Sequence, residues 1–144
     1  MVELDLAAIK RILPHRDRAL MLDRAEIVGN QVTGYFMVTK EVCEGHLPGL
    51  PIFRGIDRVE VLFLTMGVAM LEGLPEGKIP VAATVEGIRW PGLVVPGQEV
   101  RAEVMIERLR SRTVTGSGTL YLGDQAVCVV KRITGMIVDA SEFK

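Results

Sequence analysis

Between Val59 and Leu71 the chain is almost wholly apolar, and Glu60 is the only charged residue in the run. Gly55 stands before it, and Gly73 and Pro75 stand after it. Glycine and proline mark helix ends, so the run predicts a helix over 56–72. Such a helix is apolar on nearly every side, and only a surrounding layer of structure can take it out of water. Several of its residues are β-branched, so burial rather than intrinsic propensity must hold it.

Elsewhere the period shortens to two. Val100, Ala102, Val104 and Ile106 fall on one face of a strand predicted over 100–110, with Arg101, Glu103 and Glu107 on the other. Further strands are expected over 81–90, 113–122 and 126–138, the last rich in Val and Ile as suits a central strand. Gly123-Asp124 reads as the tight turn between the final two. Nearer the N-terminus, strands over 20–28 and 32–39 flank a turn at Gly29-Asn30. Asp5 can cap a short helix through Leu6, Ile9, Ile12 and Leu13, which Pro14 ends. The stretch 41–53, punctuated by Gly45, Pro48, Gly49 and Pro51, is expected to be irregular. The sum is an α+β domain over 1–144, one long buried helix against a largely antiparallel sheet of five or more strands.

Composition narrows the setting. With 144 residues, 49% of them apolar, the chain can build a real core and is not disordered. A net charge of −1 argues against broad nucleic-acid binding. The two cysteines, Cys43 and Cys128, make no disulfide framework, so a reducing, cytoplasmic setting is expected. The first residues carry acids and no long apolar stretch, unlike a signal peptide. The run over 61–71 falls well short of the about 20 residues needed to cross a bilayer.

Candidate chemistry centres on two residues. A carboxylate on an apolar helix is costly unless it has work to do, which singles out Glu60. His46 lies fourteen positions earlier, in the turn-rich Gly45-His46-Leu47-Pro48-Gly49. An imidazole and a desolvated carboxyl together can move protons near neutral pH. A Cys43/His46 metal site is not expected, because two ligands do not fill a coordination shell. His15 and Trp90 read as packing residues, Cys128 as core.

Several segments resemble one family. Leu13-Pro14-His15-Arg16 followed by Leu20-Met21-Leu22-Asp23-Arg24 is similar to the opening of the β-hydroxyacyl-(acyl carrier protein) dehydratases of the FabZ type. Gly45-His46-Leu47-Pro48-Gly49-Leu50-Pro51-Ile52 resembles that family's active-site segment, and the spacing to Glu60 matches its catalytic acid. Val94-Val95-Pro96-Gly97 resembles a later turn of the same family. The resemblance implies a hot-dog fold, in which a curved antiparallel sheet wraps a central helix. It also implies dehydration of 3-hydroxyacyl thioesters to trans-2-enoyl thioesters, without metal or redox cofactor. His46 would be the base, Glu60 the acid, and the backbone N–H of Gly55, at the positive end of the helix dipole, the oxyanion donor. Phe53, Ile56 and Phe63 would line an acyl tunnel. Implied partners are an acyl carrier protein or coenzyme A thioester and a second copy of the chain. The site would be shared across that dimer, and trimers of dimers would be open to it.

Three departures stand against this pattern. Arg54 replaces a proline before the helix glycine, Asp57-Arg58 replaces apolar residues in the first turn, and Leu64 replaces a glutamine one turn after the acid. Asp57 complements the helix dipole. Arg58 is expected to face solvent, a partner or an acidic group, and Arg54 and Arg58 become candidates for the tunnel mouth. A salt bridge from either arginine to Glu60 is the plainest structural alternative to catalysis. Arg108, Arg110, Arg112, Lys131 and Arg132 are either a solvated strand end or a surface that meets an acidic carrier. Two other functions stay open: a hot-dog acyl thioesterase, and a non-catalytic acyl-carrier-binding subunit of a dehydratase complex.

Overall fold

The computed structural model describes residues 1–143. Its centre is the helix α3, Gly55–Leu71. From Val59 to Leu71 every residue is buried except Glu60 and Ala69, as an all-round apolar sequence demands. Glu72 caps it, with its N–H on the Val68 carbonyl, and Gly73 follows in the left-handed region.

Seven antiparallel strands wrap this helix: β1 (Val2–Leu4), β2 (Arg24–Val28), β3 (Gln31–Met37), β4 (Lys78–Arg89), β5 (Glu99–Arg110), β6 (Thr113–Leu122) and β7 (Gln125–Asp139). Their order is β1-β2-β3-β5-β6-β7-β4. β2 and β3 form a hairpin, with Val28 opposite Gln31. β3 then pairs with β5, setting Val32 against Val104 and Gly34 against Ala102. The chain between them therefore leaves this pairing: α3 fills the concave side, and β4 joins the sheet at its far edge. Val32, Val100, Ala102, Val104, Leu120, Val130 and Ile133 carry the inward face of the sheet and are buried. β4 ends the order and pairs only with β7. Among the described residues, no helix is long and apolar enough to cross a membrane.

Most elements lie within a few residues of their sequence-based bounds. Asp5 does cap α1 (Leu6–Ile12), its carboxylate accepting the Ala8 N–H at 2.8 Å. Three differences have local causes. The strand expected from residue 20 begins only at Arg24, because Asp17–Ala19 forms a 3₁₀ turn and Met21 and Leu22 go into the core outside the ladder. The returning strand stops at Met37, because Thr39 turns away to cap a short helix, α2 (Lys40–Cys43), inside the stretch expected to be irregular. β1 was not expected, since three residues are too few to show a period.

The wrap is tight where the sheet lacks side chains. A Cβ on Gly34 would run into the buried Thr65 and Leu22 side chains. One on Gly116 would sit 2.5 Å from the Met105 carbonyl oxygen of the neighbouring strand, a backbone atom that cannot swing aside. Gly116→Ala should therefore cost about 1–3 kcal/mol. Thermal denaturation checks this, with an expected fall of several degrees; an unchanged midpoint would refute the tight packing.

Candidate active site

The segment between α2 and α3 presents His46. Gly45 and Gly49 hold φ of +79° and +76°, so the chain bends on either side of the histidine. Leu47 and Leu50 close the turn, the Leu50 N–H meeting the Leu47 carbonyl at 3.0 Å. His46 Nδ1 lies 3.1 Å from the Ile52 carbonyl oxygen. A carbonyl can only accept, so this bond forms with the hydrogen on Nδ1 and leaves Nε2 as the basic nitrogen of the neutral ring. An open hollow of about 360 Å³ flanks the turn, with Cys43, Leu47 and Leu50 in its walls. His46 and Glu60 are not among its lining residues.

Phe53 then anchors the chain in the core. It is fully buried, lies with its ring centroid 6.0 Å from that of Phe36, and donates its N–H to the Val94 carbonyl at 2.8 Å. That bond ties the turn resembling a conserved family segment, 94–97, to the strap that leads into α3. Gly55 heads the helix, where a first-turn N–H has no partner within the helix. The Trp90 indole stands over it: Nε1 donates to the Gly55 carbonyl at 2.7 Å, and a Cβ at position 55 would meet the ring at 2.9–3.2 Å. The glycine is thus required by contact, and Trp90 packs as expected while also holding the helix start.

The first turn of α3 corrects one expectation. Arg58 does not face solvent, a partner or an acid. It is 3% exposed, and its Nη1 donates to the carbonyls of Gly92 and Val127 at 3.0 Å, its Nη2 to that of Phe53 at 3.3 Å. The reason is geometric. Three chain segments converge on the helix start with carbonyls turned inward, and the guanidinium spreads its donors over a planar fork that reaches all three. Its Nε is buried without a partner. Burial lowers the arginine's proton affinity from its ordinary high value, and the nearby Cys128 counters this in part. The same burial pushes the Cys128 thiol up to about 11.

Arg54 and Asp57 pair with each other, Nε to Oδ2 at 2.9 Å and Nη2 to Oδ1 at 3.2 Å. Both arginines are therefore engaged elsewhere, and neither forms the expected alternative salt bridge to Glu60. The i, i+3 spacing of this pair is readable in a helix, but the sequence reading assigned Asp57 only to the dipole. Glu60 itself is half-buried on α3. Desolvation, and then the charge of Asp57, holds its carboxyl above the usual range. Leu64 lies one turn on, fully buried, where a polar residue could have reached the acid.

Within one chain, no hydrogen bond or ion pair among the described residues joins His46 to Glu60. Phe53 and Phe63 are buried, whereas Ile56 is 63% exposed. The tunnel residues expected together therefore have different surroundings in the single chain. Arg108, Arg110, Lys131 and Arg132 are exposed. Arg112 is bonded to the Ile137 carbonyl and to Glu142.

No family model matches the chain. Known proteins do. A 3-hydroxyacyl-(acyl-carrier-protein) dehydratase FabZ of Listeria monocytogenes is 40% identical over 130 residues, which is 87% of this chain and 90% of the relative. The FabZ of Clostridium acetobutylicum is 34% identical over 143 residues, 95% of this chain and all of the relative. Among solved structures, the dehydratase heterocomplex ApeI:P of Xenorhabdus doucetiae superposes with a TM-score of 0.80 over 94% of this chain and 93% of that one, at 13% identity. A thioesterase-superfamily member of Thermus thermophilus gives 0.66 over 81% and 87%, at 21% identity. These structures share the hot-dog architecture, and the relatives carry the identity over nearly their whole length: the chain belongs to the FabZ family of 3-hydroxyacyl-(acyl-carrier-protein) dehydratases.

Proposed function

We propose that the chain removes water from 3-hydroxyacyl thioesters held on acyl carrier protein, giving trans-2-enoyl thioesters for fatty acid biosynthesis. The observation that carries this reading is Glu60, a half-buried carboxyl held above its ordinary range on an apolar helix, in a chain 40% identical to a FabZ dehydratase. Loss of water needs a base at the carbon alpha to the thioester and an acid at the 3-hydroxyl. His46 Nε2 takes the alpha proton, the electron pair forms the double bond, and Glu60 gives its proton to the departing hydroxyl. The Gly55 N–H, at the start of α3, bonds the thioester oxygen as charge develops on it.

The two halves of this chemistry come from two copies. Support is threefold. Among the described residues, no hydrogen bond or ion pair joins His46 to Glu60 within one chain. β4, twelve residues long and largely exposed, has a free edge. Leu47, Leu50, Ile56, Trp90 and Leu93 leave apolar surface around the site. A second copy covering them would complete the acyl tunnel with Phe53, Ile56 and Phe63, with Arg54 at its mouth and Arg58 bracing the wall from behind. The carrier's acidic surface would meet the exposed arginines. The reducing cytoplasm suits the two buried free thiols, Cys43 and Cys128.

One observation favours a second reading. Leu64 leaves Glu60 without a polar partner one turn further along α3, as suits a subunit that binds acyl carrier without turning it over. One assay separates the two. With a 3-hydroxyacyl or crotonyl thioester, enoyl absorbance should show turnover, falling by about 10²–10⁴-fold in His46→Ala and in Glu60→Gln. Tight carrier binding with no turnover by the parent would establish the second reading.

Sedimentation should return a mass at least twice that of the 15.8 kDa chain. A monomer at assay concentration that turns over would end the shared-site account. Glu60 also predicts a cost in stability. It holds its proton more tightly folded than unfolded, so the fold loses support as pH rises through the raised value. Glu60→Gln should melt near the parent at about pH 4 and above it at about pH 8. Calorimetry at both values tests the sign.

A further inference from the structure

Arg54, the N-cap of α3, and Asp57 and Glu60 within it follow one another at three-residue spacing, so each side chain neighbours the next along one face. Asp57 is the middle member and the most enclosed, 7% exposed. Arg54 grips both of its carboxylate oxygens, at 2.9 and 3.2 Å, from the solvent side. We propose that Asp57 is a positioning residue of the dehydratase site: it sets a buried negative charge one helical turn before Glu60, and Arg54 regulates how much of that charge the acid feels. The proposal rests on the reading of Glu60 as the acid.

The physics is Coulombic. A negative neighbour disfavours loss of the Glu60 proton, and the effect is strong where water is scarce. Burial and then Asp57 both act on Glu60 in that direction. A second group registers the same charge: the thiol of Cys43, buried in α2, is raised by burial and then by Asp57. Arg58 belongs to the same turn, but its guanidinium is bound to three carbonyls beside Cys128 of β7. In the paired assembly His46 of the second copy would be the remaining titratable neighbour. The acid of this site would thus have its proton held by a tunable pair in place of a polar partner at position 64.

The two members of the pair act with opposite sign, and this makes the idea testable. In the full-length protein, a carbon NMR titration of the Glu60 carboxyl, assigned by its loss in Glu60→Gln, reads the midpoint without requiring activity. Asp57→Asn should lower the midpoint, and Arg54→Gln, a change at a half-exposed position, should raise it. Glu76→Gln, an exposed carboxylate in the loop after α3, should leave it in place. The alkaline limb of kcat/KM should move the same way as the midpoint in each variant. An unmoved or raised midpoint in Asp57→Asn overturns the proposal, as does an unmoved or lowered one in Arg54→Gln. If Glu60→Gln retains full turnover while the midpoints shift as expected, the reading of the acid fails and the electrostatic coupling stands.

Discussion

Leu62, Leu64, Met66 and Val68 have no exposed surface, and the pairs 62/66 and 64/68 point to opposite sides of α3. Full burial of such a side chain contributes about 1.5–3 kcal/mol, so leaving this helix on a surface would sacrifice most of the available driving force. A single flat sheet covers one side only. The sheet therefore curves around the helix, and glycines at 34, 116, 118 and 135 remove side chains where strand and helix close to contact. The strand order, with β3 joined to β5 and β4 displaced to the far edge, is the connectivity that lets the chain insert a helix into its own sheet.

That same burial makes every charge on α3 expensive, and three are there. Each is accommodated differently. Asp57 has a guanidinium partner. Arg58 has carbonyls from Phe53, Gly92 and Val127, which take up its two terminal nitrogens without any counter-charge and hold three segments around the helix start, while its Nε stays unpartnered. Glu60 has neither, and its cost appears as a tightened hold on its proton. A carboxyl that holds its proton more tightly than usual is suited to acid catalysis. A site that weakens the fold at high pH and a site able to protonate a leaving hydroxyl are two descriptions of one group.

The helix start shows how backbone geometry and chemistry are joined. Phe53 is locked by Val94 and Phe36, Gly55 is covered by the Trp90 indole, and Arg58 clasps the carbonyl that precedes them. A strap fixed at so many points needs no proline to hold it. The departure at position 54 then has a use, since an arginine there can reach Asp57.

The main lines of this architecture were legible in the residues alone. The apolar run around Glu60 announced a wrapped helix, alternation at 100–106 announced a strand with one buried face, and the fourteen-residue spacing from His46 to Glu60 pointed to the family. Periodicity records which side of an element is apolar, so burial and element type followed directly. What it could not record was where side chains of mixed character end up. Arg58 looked like a surface charge, because nothing in its neighbours along the chain reveals the three carbonyls that converge on it from positions 53, 92 and 127. Asp57 looked like a dipole complement: its i, i+3 spacing to Arg54 and Glu60 was there to be read, but its burial and its influence on the Cys43 thiol arise only in the folded chain. Local pattern is a property of one segment, whereas hydrogen-bond partners and desolvation belong to segments far apart in sequence. The helix, the strands and the two candidate proton-transfer residues were therefore determined by the sequence itself, and the tightened proton hold of Glu60 and the placement of Arg58 by the tertiary structure.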